Sequence, residues 1–439
     1  MPAQQGVDTP LSAAGLIGSR LRQDALVEQA VAESERTAKN PFEWGGATLA
    51  KGRTGTALLY LALSRNSIGH QQQEWFTAAQ EELRQAVATT HSHPLTMTSA
   101  LLGSSGLLLA VEEFNESDSR YGGSARTLRE QVAAQVLEHA WPERDNGFAA
   151  TDYDVIGGAA GVLGALCALP GPLSAAVADA RDLLVRYLVH SARPAENGHS
   201  QCFVTPELYP LEEYRAQYPH GYYNTGLSHG IPGVVSALAA ARLSGTSEPG
   251  TADALRRLTD DLVQWSMTDT HGVDWPAGVP LTPEGRPDTR HPEPTRTAWC
   301  YGAPGVAVSL HQAADVLDDP GLRRLALDAF DSAMKRCGHG ADVESPTLCH
   351  GLTGLLCVAH YFSHRSGDPR AVHATGELTR HVLAACDTGH LLVVRDEESP
   401  ANFVDDPGFL TGAAGVGAAL AMVAGGERPL WSSSLMLGW

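Results

Sequence analysis

Basic residues are scarce in this chain: 31 Lys and Arg stand against 50 Asp and Glu, a formal net charge of -19. So acidic a surface repels a phosphate backbone and excludes general nucleic-acid binding. Long apolar runs are missing as well. No stretch approaches the roughly eighteen uninterrupted apolar residues that span a bilayer, and Met1 to Arg20 shows no basic segment followed by an apolar one, the pattern of a signal peptide. The expected location is the cytoplasm, with any membrane association arising through partners. Cysteines are few and odd in number: Cys167, Cys202, Cys300, Cys337, Cys349, Cys357 and Cys386. Scattered as they are, they make a poor disulfide framework and are expected to be reduced. Cys167 and Cys357 sit inside apolar helical runs and read as small core residues. What remains is the composition of a soluble globular enzyme, 43% hydrophobic and 18% charged over 439 residues, enough chain to bury a large core.

Within that composition one short pattern recurs seven times: Gly-x-x-Gly followed by about ten apolar or small residues. The copies are KGRTGTALLYLAL from Lys51, LGSSGLLLAVEEF from Leu102, GAAGVLGALCAL from Gly158, HGIPGVVSALAAA from His229, YGAPGVAVSLHQA from Tyr301, HGLTGLLCVAHYF from His350 and TGAAGVGAALAMV from Thr411. Ala, Leu and Val dominate these runs, which favours helices buried on both sides. Between them lie amphipathic segments at a spacing near 3.6, such as Leu255, Leu258, Leu262 and Trp265, or Leu128, Val132 and Val136 with Leu137 interleaved. These predict outer helices with one solvated face. A buried and an amphipathic helix per repeat gives an all-α chain whose closed form is an α/α toroid over residues 1–439 and whose open form is a solenoid; the toroid is the expectation. The glycines at each inner-helix start let loops crowd together; in the first, second and seventh copies packing alone accounts for them. Two stretches without helical periodicity, 193–225 and 268–297, are expected to be insertions or rim loops beside the working face.

Three successive repeats carry unusual residues just before the Gly-x-x-Gly: Ser228-His229-Gly230, Cys300-Tyr301-Gly302 and Cys349-His350-Gly351. Cys300 and Cys349 share a register position, as do His229 and His350, so repeat geometry predicts that they face one axis at one level. Two thiolates and an imidazole suit Zn²⁺, and three protein ligands leave a fourth position open, the mark of a catalytic site. Cys300, Cys349 and His350 are the expected ligands of one zinc per chain; the alternative is two core cysteines and an incidental histidine. No close Cys pair of the kind that structural zinc sites use is present. An open position on a thiolate-rich zinc holds a substrate thiol as thiolate near neutral pH, which points to activated-thiolate chemistry.

The strings GLSHGIPG, WCYGAPG and CHGLTG, in that order on the seven-fold pattern, resemble the signature of LanC-type lanthipeptide cyclases, and the length resembles the stand-alone enzymes. The resemblance implies Michael-type addition of peptide cysteines to dehydroalanine or dehydrobutyrine in a precursor peptide, giving lanthionine or methyllanthionine thioether rings, with zinc on the same three ligands. It implies that His229 is the acid/base group and that Asp154, in YDVIGGAAG, orients His229 or a water; an exposed loop aspartate is the plainer alternative. It implies that Arg296 stabilises the enolate oxygen. Tyr301 is expected to line the site and Trp299 to serve packing. Gly157 stands where the family often has an acidic residue. Expected partners are a dehydrated precursor of leader plus core, a dehydratase and a transporter, around a monomer.

Other readings carry distinct signatures. A LanC-like enzyme that adds glutathione to dehydrated proteins would use the same site. A prenyltransferase-like subunit would use one cysteine ligand with Asp and His. A glycosidase needs paired carboxylates, and only Asp152 and Asp154 offer themselves. A non-catalytic peptide-binding scaffold predicts no stoichiometric metal and tolerance of Cys300→Ala.

Overall fold

The computed structural model describes residues 7–438 apart from Phe42, Ser247, His291, Glu293, Pro294, 339–342 and Glu344. In chain order its helices are α1 (Pro10–Leu21), α2 (Asp24–Thr37), α3 (Arg53–Arg65), α4 (Gly69–Thr89), α5 (Ser104–Ser117), α6 (Gly122–Glu138), α7 (Ala150–Tyr153), α8 (Ala159–Cys167) and α9 (Ala175–Ser191). There follow α10 (Tyr214–Gln217), α11 (Ile231–Leu243), α12 (Thr251–Gln264), α13 (Ala303–Leu317), α14 (Pro320–Gly338), α15 (Leu352–Arg365), α16 (Pro369–Ala384) and α17 (Ala413–Gly425). Every one of the seven glycine motifs opens a helix: α3, α5, α8, α11, α13, α15 and α17. Among the described residues no helix is long and apolar enough to cross a membrane.

The chain divides into two compact units. The first gathers Met1–Thr96, Glu113–Ser119 and Val343–Pro429; the second gathers Met97–Glu112, Arg120–Asp342 and Leu430–Trp439. In the first, α3 packs on α4 and α17, α15 on α16 and α17, and α1 on α17 and α3. In the second, α8, α11 and α13 pack side by side while α9, α12 and α14 lie against them. The motif helices carry the packing: Ile231 to Ala241 of α11 and Ala413 to Met422 of α17 are buried without a break. Their Ala, Gly and Val side chains let backbones approach and leave no polar face to solvate. The intervening helices are amphipathic as their spacing predicts. On α12, Leu255, Leu258 and Leu262 are fully buried and Asp253 and Arg256 exposed. On α6, Val132 and Val136 are buried, whereas Leu137 points outward at 40% exposure because it lies one residue off the stripe.

The glycine requirement has one cause at most copies. The loop before each motif helix folds back so that the motif's first glycine meets the backbone about six residues earlier: Met97 for Gly103, Asn224 for Gly230, Ser345 for Gly351, Asp406 for Gly412. A Cβ at Gly302 would lie 2.6 Å from the Arg296 carbonyl oxygen, and one at Gly305 2.5 Å from that of Trp299. Close backbone approach, rather than a left-handed φ, demands glycine; Gly302 alone among the seven first glycines combines both, at φ 79°. The copies set aside as packing glycines obey the same rule. The motif's second glycine follows suit at Gly415, where a Cβ would overlap the Phe409 carbonyl and lie 2.6 Å from Leu348 Cδ1. Gly415→Ala is expected to cost about 3 kcal/mol, since backbone and a buried leucine must both yield; a urea midpoint unchanged from wild type would refute this account of the motif.

The two aperiodic stretches join. Strands β1 (Phe203–Val204) and β2 (Tyr222–Asn224) come from the first, and β3 (Met267–Asp269), β4 (Gly272–Asp274) and β5 (Gly278–Pro280) lie largely in the second. They form an antiparallel sheet of order β1-β2-β5 and a β3-β4 hairpin. Stacked rings of Tyr214, Tyr218 and Tyr222 cover the sheet's start. The buried Arg336 clamps the hairpin through Asp269 at 2.8 Å. A last hairpin, β6 (Asp396–Ser399) and β7 (Asn402–Val404), belongs to the first unit.

Candidate active site

His229 stands immediately before Gly230, the N-cap of α11, where the turn into the helix projects its side chain out of the packed layer at 41% exposure. Asp154 caps the end of α7, ahead of α8, and is fully buried. The two loops are stitched by Val155 N–H donating to the Ser228 carbonyl at 3.0 Å. His229 Nδ1–H donates to Asp154 Oδ2 at 2.6 Å, while Asp154 Oδ1 accepts the amides of Gly157 at 2.7 Å and Gly158 at 2.8 Å. Three contacts thus hold the carboxylate, two on Oδ1 and one on Oδ2. Two backbone N–H groups hold one oxygen, so the other is fixed towards the imidazole and sets its tautomer, leaving Nε2 as the unprotonated nitrogen. The plainer sequence alternative, an exposed loop aspartate, is overturned by this burial. Gly157 has room: a Cβ there would find nothing nearer than 3.7 Å. The departure from an acidic residue leaves the amide that Asp154 needs intact.

The next motif is tied to the same loop layer. Ser228 N–H donates to the Cys300 carbonyl at 3.3 Å, and Asn224 Nδ2 donates to Tyr301 Oη at 3.1 Å. The Tyr301 ring lies against Gly226, where a Cβ would be 2.5 Å away. Burial pushes the Tyr301 phenol well up, so it stays protonated and can donate. Cys300 is buried at 5% exposure. Trp299 is wholly buried with its indole N–H on the Leu435 carbonyl at 2.8 Å, a packing residue as expected. Arg296 is exposed and forms no ion pair among the described residues; its carbonyl, packed on Gly302, does the structural work. Asp152 is committed to Arg144 at 2.8 Å and to the Ala149 amide, and Asp154 to His229, so neither offers the paired carboxylates of a glycosidase.

Cys349 and His350 belong to the first unit, before α15. Cys349 N–H donates to the Leu410 carbonyl at 2.9 Å. His350 is largely buried; burial pulls its pKa down, but hydrogen bonds with the Asp396 carboxylate and the Cys349 side chain outweigh this and push it up to about 10. Its Nε2 lies 3.3 Å from Asp396 Oδ1, which also accepts Ser345 Oγ at 2.7 Å and Thr347 Oγ1 at 3.2 Å. Among the described residues, no group of three or more His, Cys, Asp or Glu side chains is arranged to hold a metal ion. The donor chemistry nonetheless fits a soft divalent ion. A thiol and an imidazole are in hydrogen-bond contact, and a buried carboxylate stands behind the imidazole, the outer-shell partner that metal-bound histidines usually have. Cys202, Cys357 and Cys386 are in a different setting: burial raises the first two to about 12 and Cys386 to about 11. None of the seven forms a disulfide.

Sequence reasoning overlooked Asp396 and Asn224. Asp396 is remote along the chain, in a β-hairpin outside the repeat pattern, and no spacing announces it. Asn224 did have a signal. It sits six residues before its motif glycine, the position that Asp406 occupies before Gly412 and Ser345 before Gly351, where a polar side chain braces the turn.

With this geometry in hand, similarity to known proteins is informative. The chain is 26% identical over 343 residues to the nisin biosynthesis protein NisC of Lactococcus lactis subsp. lactis, covering 76% of this chain and 79% of that one. A solved structure of nisin cyclase superposes with a TM-score of 0.76 at 22% identity, covering 95% of this chain and 98% of the other. That likeness establishes the fold as the α/α-toroid class expected from the repeats. Residues 43–436 match the family described as lanthionine synthetase C-like protein. Motifs, fold and that match over most of the chain together make this protein a member of the lanthionine synthetase C-like family.

Proposed function

We propose that this protein is a zinc-dependent lanthipeptide cyclase, which adds the cysteine thiolates of a precursor peptide to dehydroalanine or dehydrobutyrine residues and closes thioether rings. The observation that carries the reading is the His229–Asp154 pair, an exposed imidazole whose tautomer a buried, doubly amide-bonded carboxylate sets. Zinc, held by Cys300, Cys349 and His350, would supply the positive centre that lowers a peptide thiol's pKa from about 8.5 and keeps it ionised near neutral pH.

The chain's own residues then have defined tasks. His229 Nε2 accepts the thiol proton, because Asp154 engages Nδ1–H and stabilises the imidazolium that results. The sulfur lone pair forms a C–S bond to the β-carbon, and the C=C pair moves onto the α-carbon and carbonyl as an enolate. Arg296, with no ion-pair partner among the described residues, brings fixed positive charge to the enolate oxygen. Tyr301, held by Asn224 and kept protonated by burial, is a neutral donor lining the site. His229 returns the proton to the α-carbon, so the reaction is an isomerisation with nothing gained or lost. Asp396 acts through His350, whose ring it orients.

This reading requires an upstream reaction that dehydrates serine and threonine in the same peptide, and so a dehydratase as functional neighbour, followed by export of the ringed product. It is tested by incubating purified protein with a dehydrated precursor and titrating the remaining thiols with an alkylating reagent. The peptide mass should stay constant while alkylatable thiols disappear, and metal analysis should return about one zinc per chain. A product heavier by one glutathione, formed only when glutathione is added, would instead support the protein-modifying alternative.

A further inference from the structure

Away from these residues, in the first unit, two adjoining cavities of about 450 and 500 Å³ open between α2, α3 and α4 and share Asp24 and Glu82 in their walls. We infer that they form one binding groove for an extended basic segment of the peptide substrate, outside its ring-forming residues; this rests on the cyclase reading.

Two independent features point to a ligand. Thr56 lines the first cavity and Tyr60, one helical turn further along α3, lines the second. Both residues are all but buried, at 2% and 1% exposure, and neither hydroxyl has a hydrogen-bond partner among the described residues. Two orphaned hydroxyls on one helix face, beside open volume, are costly unless something polar occupies that volume. The second feature is charge. Arg53 is neutralised by Glu82 at 3.0 Å, and Arg22 lies over the Trp75 ring at 5.6 Å. Asp24, Glu28 and Glu35, by contrast, have no ion pair among the described residues.

The geometry of α2 selects an extended occupant. Asp24, Val27, Glu28, Val31 and Glu35 line the groove along one helix stripe, alternating carboxylate with apolar contact. Asp24 and Glu28 are about 6 Å apart along the axis at 1.5 Å per residue. Alternate side chains of an extended peptide repeat at about 6.6 Å, so lysines or arginines two positions apart meet Asp24 and Glu28, while Glu35 lies about 10 Å further along the stripe. Trp44, half-buried in the same wall, offers a face to an ammonium or guanidinium group.

The test is fluorescence anisotropy on the full-length protein with a labelled peptide of alternating lysine and valine, beside its glutamate counterpart. The basic probe should bind saturably and more weakly at higher salt, and the acidic one should not. Asp24→Asn with Glu28→Gln and Glu35→Gln, all surface changes, should weaken binding at least tenfold. Tyr60→Phe and Thr56→Val should each weaken it several-fold while leaving the melting temperature unchanged or raised, because they remove an unsatisfied hydroxyl; a merely structural role would lower it. With a dehydrated precursor, exchanging basic residues outside the rings for glutamine should raise KM without changing kcat, and the triple variant should erase that difference. Absence of saturable binding, equal binding by the triple variant, or a KM indifferent to the substrate's basic residues would each overturn the groove. Because probe binding needs no ring formation and should survive in Cys300→Ala, failure of the groove and failure of the cyclase reading give different results.

Discussion

Cys349→Ala is expected to reduce bound zinc from about one equivalent per chain to almost none and to abolish ring formation above the uncatalysed background. The reason is chemical. On the proposed assignment, removing one of three protein donors leaves two, and a two-coordinate site competes poorly with water and free thiols for a divalent ion. Cys300→Ala should behave alike. Cys357→Ala is the control, since that thiol is buried within α15 and burial raises its pKa to about 12; it should keep its zinc and its rate. Asp396→Asn should keep the metal but bind it about ten- to a hundredfold more weakly, as loss of outer-shell support usually does. Full zinc occupancy and full activity in Cys349→Ala would sink the assignment. Metal analysis after dialysis against a weak chelator, with far-ultraviolet circular dichroism to verify folding, decides it.

The second large effect concerns Asp154→Asn. The Oδ1 position accepts two backbone amides, from Gly157 and Gly158, so an asparagine must keep its oxygen there and turn its NH₂ towards His229. Nδ1 then has to accept rather than donate. The imidazole is forced into the opposite tautomer, with its proton on Nε2, and can no longer take one from a thiol. A drop in kcat of about a thousandfold is expected with zinc content unchanged. His229→Ala should lose a similar amount, and the double variant little more, because the two residues act as a unit. Near-additive losses would show that Asp154 serves only the loop between α7 and α8. Stoichiometric zinc together with slow, tautomer-dependent turnover would separate this pair's role from that of the metal ligands.

How much of this could be read from residues alone differs between fold and site. The repeat was legible because it is local: glycine spacing, small apolar runs and amphipathic intervals are each written within one repeat, and each follows from backbone sterics and burial. The shared register of Cys300 with Cys349 and of His229 with His350 was legible for the same reason, since it belongs to the repeat; their roles are proposals. Asp154 was legible only as a motif position, and whether it was a surface residue could not be decided until burial and two amides were seen.

Asp396 behind His350, Asn224 against Tyr301, the sheet that joins stretches 193–225 and 268–297, and the orphaned hydroxyls of Thr56 and Tyr60 were settled by tertiary structure alone. Local sequence dictated which residues start helices, which faces turn inward and which donors share a register, because those follow from sterics and periodicity along the chain. Which polar group ends up paired with which, and which is left without a partner, depends on contacts between residues distant in the chain, and no local pattern encodes them.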